Sequence, residues 1–324
     1  MTLKSYSEKL TRLKVNIAGG GEGREGRASP HKICMLLAVL DLARAGELTE
    51  NRIYYAPPLL ERFRRFFDAV RAPGDHPHAY FPFFHLTGEL RGGEASFWHL
   101  EPLPGRESAL LEMSTARSHG DITKNIAYAR LDSELHALLQ DSSDIDSLTD
   151  ALSRYWFGRG LEDLANVVRR SAEVSRYERR LRAGLSSTVT EPAPPEYIRD
   201  PAFRRIVTQA YDYRCAATGV RILLPSGEAM VEAAHIHPFS VTGDDDPRNG
   251  IALSPDMHWA MDRNLIAPGP DLRWHVSGRL DRRIPDLRSL WDLQGRELLL
   301  PTEPRLYPKK EALAWRVAQL REEG

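Results

Sequence analysis

Four side chains able to move protons or hold a cation fall within one stretch of the last third of the chain. They are His235, Asn249, His258 and Asp262, separated by 14, 9 and 4 residues. A neutral imidazole titrates near neutral pH and can take a proton from water. An amide can fix such a ring by hydrogen bonding without changing its charge. A histidine and an aspartate four residues apart on a helix lie on one face and can converge on one ion. Activated water together with a cation that relieves charge on a phosphoryl group is the chemistry of phosphodiester hydrolysis. The set reads as a metal-dependent nuclease site.

Those side chains need elements to aim them. The run MVEAAHI (230–236) has the character of a strand, and Pro238 ends it. A Gly-, Asp- and Asn-rich loop follows from Thr242 to Gly250, and then a short apolar piece, IALS. Ser254 and Pro255 read as N-cap and first residue of a helix that carries His258 and Asp262. The expected order is strand, loop, strand, helix. A nitrogen–oxygen ligand pair suits Mg²⁺ or Mn²⁺, with Co²⁺ or Ni²⁺ also accommodated, better than a structural zinc, for which thiolates are missing.

This stretch resembles the HNH (ββα-metal) nucleases, in the group that reads CxxTG, EAAHIxP, NG and HxxxD. Here these are Cys215–Gly219, Glu232–Pro238, Asn249-Gly250 and His258–Asp262, in order over about 50 residues. The resemblance implies His235 as general base, Asn249 as the residue that fixes its ring, and His258 and Asp262 as metal ligands. Many such sites carry a metal-binding Asp or His just before the base, and this chain has Ala234 there. Either Glu232, two strand residues back on the same face, or water supplies the missing ligand. His237 shares a face with His235 and is either a supporting or phosphate contact or a surface histidine. Cys215 reads as a buried strand cysteine.

Composition sets the frame. With 324 residues, 42% apolar and 27% charged, the chain can form two domains with full cores. A net charge of −1 excludes a protein that coats nucleic acid indiscriminately, so contacts must come from local basic patches such as 1–32 and 169–182. Cys34 and Cys215 alone form no disulfide framework or zinc knuckle. No run of eighteen apolar residues occurs, and MTLKSYSEKL lacks a signal-peptide core, so a cytoplasmic protein with no membrane partner is expected.

Apolar spacing predicts helices over 3–14, after Ser29-Pro30 (stripe Ile33, Leu36, Leu37, Leu40) and after Pro57-Pro58. FFHL and SFWHL read as a hairpin, followed by helices near 132–140 and 143–156, a basic helical connector at 158–183 and a Pro-rich linker. Beyond it, PAFRRIVTQAYDYR is an expected helix, LIAP, RWHVS and RELLLP expected strands, and Lys309 the start of a last helix. The expectation is an α+β protein of two domains: recognition at 1–157, connector and linker at 158–199, nuclease at 200–324.

The first half resembles the sulfur-binding domain that accompanies HNH domains in phosphorothioate-dependent (type IV, McrA-like) restriction endonucleases. The matching segments are Arg24…SPHK…LL and Phe81-Pro82-Phe83-Phe84. The resemblance implies a modification-dependent endonuclease that binds phosphorothioate-modified double-stranded DNA and cuts nearby. Replacing a phosphate oxygen by sulfur gives a larger, more polarisable, weaker acceptor, so a selective reader needs an apolar cup plus cations. Pro82, with no N–H, and Phe81 would form the cup; Arg24, His31, Lys32 and His85 would meet the DNA. The family usually has tyrosine before this proline, so Phe81 loses a hydroxyl. One such site cuts one strand, so double-strand cleavage implies a homodimer, formed through the 158–183 helix. The alternatives are a nuclease reading another mark, such as a methylated base, and a DNA-binding protein with a weakened nuclease site.

Overall fold

The computed structural model describes residues 2–18, 27–184 and 194–320. By backbone contacts the chain divides into two compact units, Met1–Arg179 with Pro225–Gly227 and Arg180–Leu224 with Glu228–Gly324.

In the first unit, α1 (Leu3–Thr11) starts at Thr2, whose hydroxyl accepts the Ser5 N–H, and buries Tyr6 and Leu10. Short strands β1 (Ile17–Ala18) and β2 (Arg27–Ala28) pair antiparallel. Helix α2 (His31–Arg44) is buried from Ile33 to its end, a wider surface than the expected stripe, because α3 (Pro57–Asp68), α4 (Tyr80–His85) and α8 (Ser142–Phe157) all pack on it. Proline at the first position of α3 pre-sets φ where no helical acceptor is needed, and Leu59, Leu60, Phe63, Phe66 and Phe67 turn inward.

The expected hairpin is absent. The FFHL segment lies in α4, where Pro82 falls in the first turn and its missing N–H costs no helical bond. Phe83 meets Trp98 edge-on at 5.5 Å, and Trp98 Nε1 donates to the Phe83 carbonyl at 2.9 Å. The SFWHL segment does become a strand, β3 (Trp98–Pro102). Its partner is the distant β4 (Ile126–Leu131), in the register Trp98↔Leu131. Between them lie α5 (Glu107–Glu112) and α6 (His119–Asn125), and α7 (Ser133–Leu138) leads into α8.

Helix α9 (Leu164–Arg182), expected as a connector, supplies core to this unit: Leu164 is buried, and Ser171, Ser175 and Glu178 enter an ionic network. Both Asp41 on α2 and Arg62 on α3 are wholly buried. Arg62 donates to Asp41 at 3.1 Å, Glu47 at 2.7 Å, Glu178 at 2.9 Å and the Pro58 carbonyl at 3.0 Å. Asp41 also accepts from Arg65 at 2.7 Å, Ser171 at 2.7 Å and Ser175 at 2.8 Å. Three helices are tied through charges whose hydrogen-bonding capacity is nearly filled.

The second unit opens with α10 (Glu196–Ala210), which begins before the expected PAFRR segment and carries Pro201 inside it. Strand β5 (Glu232–His235) is followed by α11 (Phe239–Thr242), then β6 (Gly250–Leu253) and α12 (Pro255–Asp262). Strands β5 and β6 pair antiparallel from Glu232↔Leu253 to His235↔Gly250, giving the expected strand–loop–strand–helix. The strands β7 (Ile266–Pro268) and β8 (Trp274–Val276) form a second pair, and α13 (Arg288–Trp291) and α14 (Lys310–Ala318) complete the unit. RELLLP forms no strand; only Glu297 bridges to Arg273. The core gathers Phe203, Val207, Ala234, Ile236, Ile251, Met257, Trp274 and Leu313.

Removing Arg62 strands Asp41 and Glu178 in the interior, so Arg62→Met should lower unfolding free energy by about 3–5 kcal/mol in a denaturant titration. Burial pushes the Asp41 carboxyl up, but Arg65, Arg62, Ser171 and Arg44 together pull it below its ordinary value. The unfolded chain therefore takes up this proton first as pH falls. The stability from Asp41 is complete above about pH 3.9 and is lost as pH drops through the lower folded value.

Candidate active site

Strand β5 ends on His235, and the ring is held from two sides. Phe203 of α10 stacks on it almost parallel, centroids 4.0 Å apart at 3°. Its Nε2 lies 3.3 Å from Oδ1 of Asp245, a carboxylate only 2% exposed. Arg199 approaches the other oxygen of Asp245 at 3.7 Å and lies 3.7 Å over the Phe239 ring. With Nε2 anchored, Nδ1 is the nitrogen left to accept a proton.

The orienting group is thus Asp245 and not Asn249. Asn249 is 1% exposed, and its amide closes the loop instead. Oδ1 accepts the His237 N–H at 2.9 Å, while Nδ2 donates to the His237 carbonyl at 2.9 Å and the Asp244 carbonyl at 3.0 Å. All three bonds go to backbone, so the amide sets the path of the chain around the base rather than the ring itself. Beside it, Gly250 has an ordinary backbone, φ −117°. It is needed for space: a Cβ there would stand 2.4 Å from Val207 Cγ2 and 2.7 Å from Phe203 Cζ. The loop is also pinned by Lys309, 2.6 Å from Asp244 and 3.2 Å from Asp246.

On α12, His258 and Asp262 stand as the four-residue spacing requires, with His258 Nε2 3.5 Å from Asp262 Oδ2. Glu232 reaches the same histidine from β5, but at the opposite ring nitrogen: Nδ1 to Oε2 is 2.8 Å. The expectation of Glu232 as a third ligand beside Asp262 is therefore corrected. A carboxylate on Nδ1–H fixes the tautomer and turns the Nε2 lone pair toward Asp262, which is how metal-binding histidines are commonly held. Ala234, where relatives often carry a ligand, is buried at 1% exposure. Among the described residues no three His, Cys, Asp or Glu side chains gather as a metal-binding group. The donors that fit a divalent cation are the pair His258 and Asp262, both open to solvent, with room for water or phosphate oxygens to complete the shell.

His237 does not face outward. Its ring stacks on Trp315 at 3.9 Å, its Nε2 is buried without a partner, and burial, then the Arg316 charge, lowers its pKa. Cys215 is fully buried, as expected, and accepts from the Ser254 hydroxyl at 3.4 Å, but it lies in a loop and not in the expected strand. Asp245 was missed because it is one of three consecutive aspartates, and nothing in DDD marks the middle one. Its sole clue is a place in the loop between base and amide.

In the first unit, four of the six residues expected to meet DNA come together. Phe81 is 42% exposed, 4.3 Å from the His85 ring and 6.4 Å from the His31 ring, centroid to centroid. His31 is held by Ser29 at 3.1 Å and the His76 carbonyl at 3.1 Å, and His85 by Thr115 at 3.0 Å. Burial, then the Lys32 charge, lowers the pKa of His85; burial lowers that of His31; burial, then Lys14, lowers that of Lys32. Pro82 departs from expectation: it is buried, so the exposed apolar surface belongs to Phe81. Arg24 lies outside the described residues. No helix among the described residues is long and apolar enough to cross a membrane.

Comparison with known proteins agrees with the nuclease geometry. Residues 215–267 match the HNH_2 family, described as HNH endonuclease. No curated protein matches. Among solved structures, a modification-dependent TagI restriction endonuclease aligns at 21% identity with a TM-score of 0.29. The alignment covers 44% of this chain and 42% of that one, so the chain spans under half the length of that relative. Its likeness is too distant to carry an argument about this chain. The family match falls on the segment that holds β5, the loop, β6 and α12, so residues 215–267 are similar to an HNH endonuclease domain.

Proposed function

We propose that this protein is a modification-dependent endonuclease: the first unit binds phosphorothioate-modified double-stranded DNA, and the HNH site cuts nearby. The observation that carries the cutting half is the base with its buried carboxylate, His235–Asp245, set on the same strand as the Glu232–His258 contact. His235 Nδ1 takes the proton of the attacking water. Asp245, in a dry setting, stabilises the imidazolium that results and keeps the ring from turning. Asn249 and Lys309 hold the loop that carries Asp245. His258 and Asp262 would hold a divalent cation, Mg²⁺ or Mn²⁺ with Co²⁺ or Ni²⁺ as substitutes. When bound, it supplies positive charge for the phosphoryl and leaving oxygens. One site cuts one strand, so double-strand cleavage calls for a homodimer.

The recognition half is supported by the convergence of Phe81, His31, His85 and Lys32. An exposed ring between two histidines whose protonation is disfavoured offers a weakly hydrated surface, with the Lys32 ammonium beside it for the remaining charge. Such a surface favours a soft, polarisable sulfur over a strongly hydrated oxygen. Arg24, on the neighbouring glycine-rich segment, would add a backbone or guanine contact.

A second reading keeps DNA binding and drops cutting. It is favoured by one observation, the two-donor metal pair that no third side chain joins among the described residues. Titration calorimetry separates the two: Mn²⁺ should bind with one site per chain and lose that site in Asp262→Ala, whereas no heat in the wild type supports the second reading.

Cleavage chemistry gives a sharper expectation. Asp245→Asn should keep DNA affinity and lower single-turnover cleavage by about 10²- to 10⁴-fold; an unchanged rate would remove Asp245 from the mechanism. For recognition, gel shifts with sulfur-modified and plain duplexes of one sequence should differ, and Phe81→Ala should reduce that preference by about 10- to 200-fold. Equal affinity of the wild type for both duplexes would sink the sulfur reading.

A further inference from the structure

Arg316 lies on α14, well beyond the matched segment, and is only 3% exposed. Its guanidinium has no carboxylate within ion-pair distance among the described residues; oxygens of neutral groups surround it. Nη2 donates to the His235 carbonyl at 3.1 Å and Nε to the Ile236 carbonyl at 2.6 Å. Nη1 lies 3.5 Å from the Met261 carbonyl and 3.5 Å from Asn264 Oδ1. The first two acceptors end the strand that presents the base. The other two end the helix that presents Asp262, and Asn264 there adopts the left-handed backbone (φ 56°) that stops the helix.

A buried cation is costly; Asp262 gives this one only a longer-range attraction while its direct partners are carbonyl oxygens, so it is retained for its geometry more than for a salt link. A lysine could place a charge at this point but could not send separate N–H groups toward four oxygens on two elements; the planar fork can. The Glu232–His258 contact ties the start of β5 to the middle of α12, and Arg316 adds a tie between the ends of the two elements, where His235 and Asp262 stand.

Resting on the nuclease reading above, we propose that Arg316 is a positioning residue: it touches no substrate, and it sets the base strand and the cation-holding helix at their working separation. The Trp315 ring beside it, stacked on His237, closes the same corner.

The test uses the full chain and the variants R316K and R316A. For R316K, the expected result is a melting temperature and DNA affinity close to wild type with kcat down about 10²-fold, the cost of a misplacement near 1 Å. Millimolar guanidinium ion should restore part of the R316A rate by refilling the hole, and should leave R316K unaided. In parallel, histidine ring NMR signals of His235 and His258 should shift in R316K while those of His31 and His85 stay fixed. Wild-type kcat with unshifted His235 and His258 signals in R316K would overturn the proposal. So would a rate loss that merely follows the unfolded fraction and vanishes on cooling. If the wild type cuts nothing yet the two signals shift, the positioning role stands and the nuclease reading fails.

Discussion

The second unit depends on a single buried amide. Between His235 and Gly250 the chain makes a long excursion with only α11 and one 3₁₀ turn (Pro247–Asn249) inside it. Both ends must still return to a four-residue ladder. Asn249 closes that excursion by binding the N–H and the carbonyl of His237 together, as a neighbouring strand would. Being uncharged, it does this deep in the unit without the desolvation that an ion would suffer. Everything nearby follows from that closure. It brings Gly250 opposite His235, and the missing side chain of Gly250 admits Phe203, which stacks on the base. It also brings Asp245 back beneath the ring.

In the proposed reaction the two histidines of the site are prepared by the same device in mirror roles. Each has one ring nitrogen held by a carboxylate, leaving the other to act. For His235 the carboxylate is buried Asp245, at Nε2; for His258 it is exposed Glu232, at Nδ1, and the other nitrogen faces Asp262. Burial separates the roles. A dry carboxylate strengthens its hold on a developing imidazolium, which a base requires. A wet one fixes a tautomer at little cost and leaves the ligand pair accessible, which a cation that enters from water requires. The Ala234 position, buried in the core, cannot serve as the ligand that related sites carry there, and no shift of Glu232 toward Asp262 compensates for it.

What sequence could reveal followed from how local the physics is. Strand, loop, strand and helix were legible because Pro238, the glycine-bearing loop and Pro255 act within a few residues of themselves, although the Ser254 hydroxyl binds Cys215 instead of capping the helix. The His258–Asp262 pairing was legible because helical period is rigid. Asp245 was not, since the choice among three adjacent aspartates is made by loop closure, and Arg316 was not, since nothing near it in sequence names His235 as its target. The segment after Tyr80 misled for a related reason. Aromatic residues favour strands when an edge is available, but β3 had already found β4, and Phe83 gains more by burying against Trp98. The segment of α9 reads as a connector with a basic face because its arginines dominate the sequence; its Ser171, Ser175 and Glu178 are drawn inward by the buried charges of Arg62 and Asp41, which lie far away in the chain.

On the proposed sulfur reading, target choice is a question of how much one exposed ring can discriminate. Contact with a single larger atom yields about 1–3 kcal/mol, too little to separate a rare modified phosphate from the plain ones around it. The larger contribution must come from what plain phosphate loses on approach. Phe81, 42% exposed and flanked by His31 and His85, offers an oxygen no donor on the ring face, and burial makes both imidazoles poor cations. An oxygen pressed there gives up water without replacement, which costs more than sulfur's contact gains. Lys32, itself partly desolvated, would supply a full charge near the ring and so attract either anion alike. On this reading affinity comes from the lysine and selectivity from what the neighbouring surface withholds.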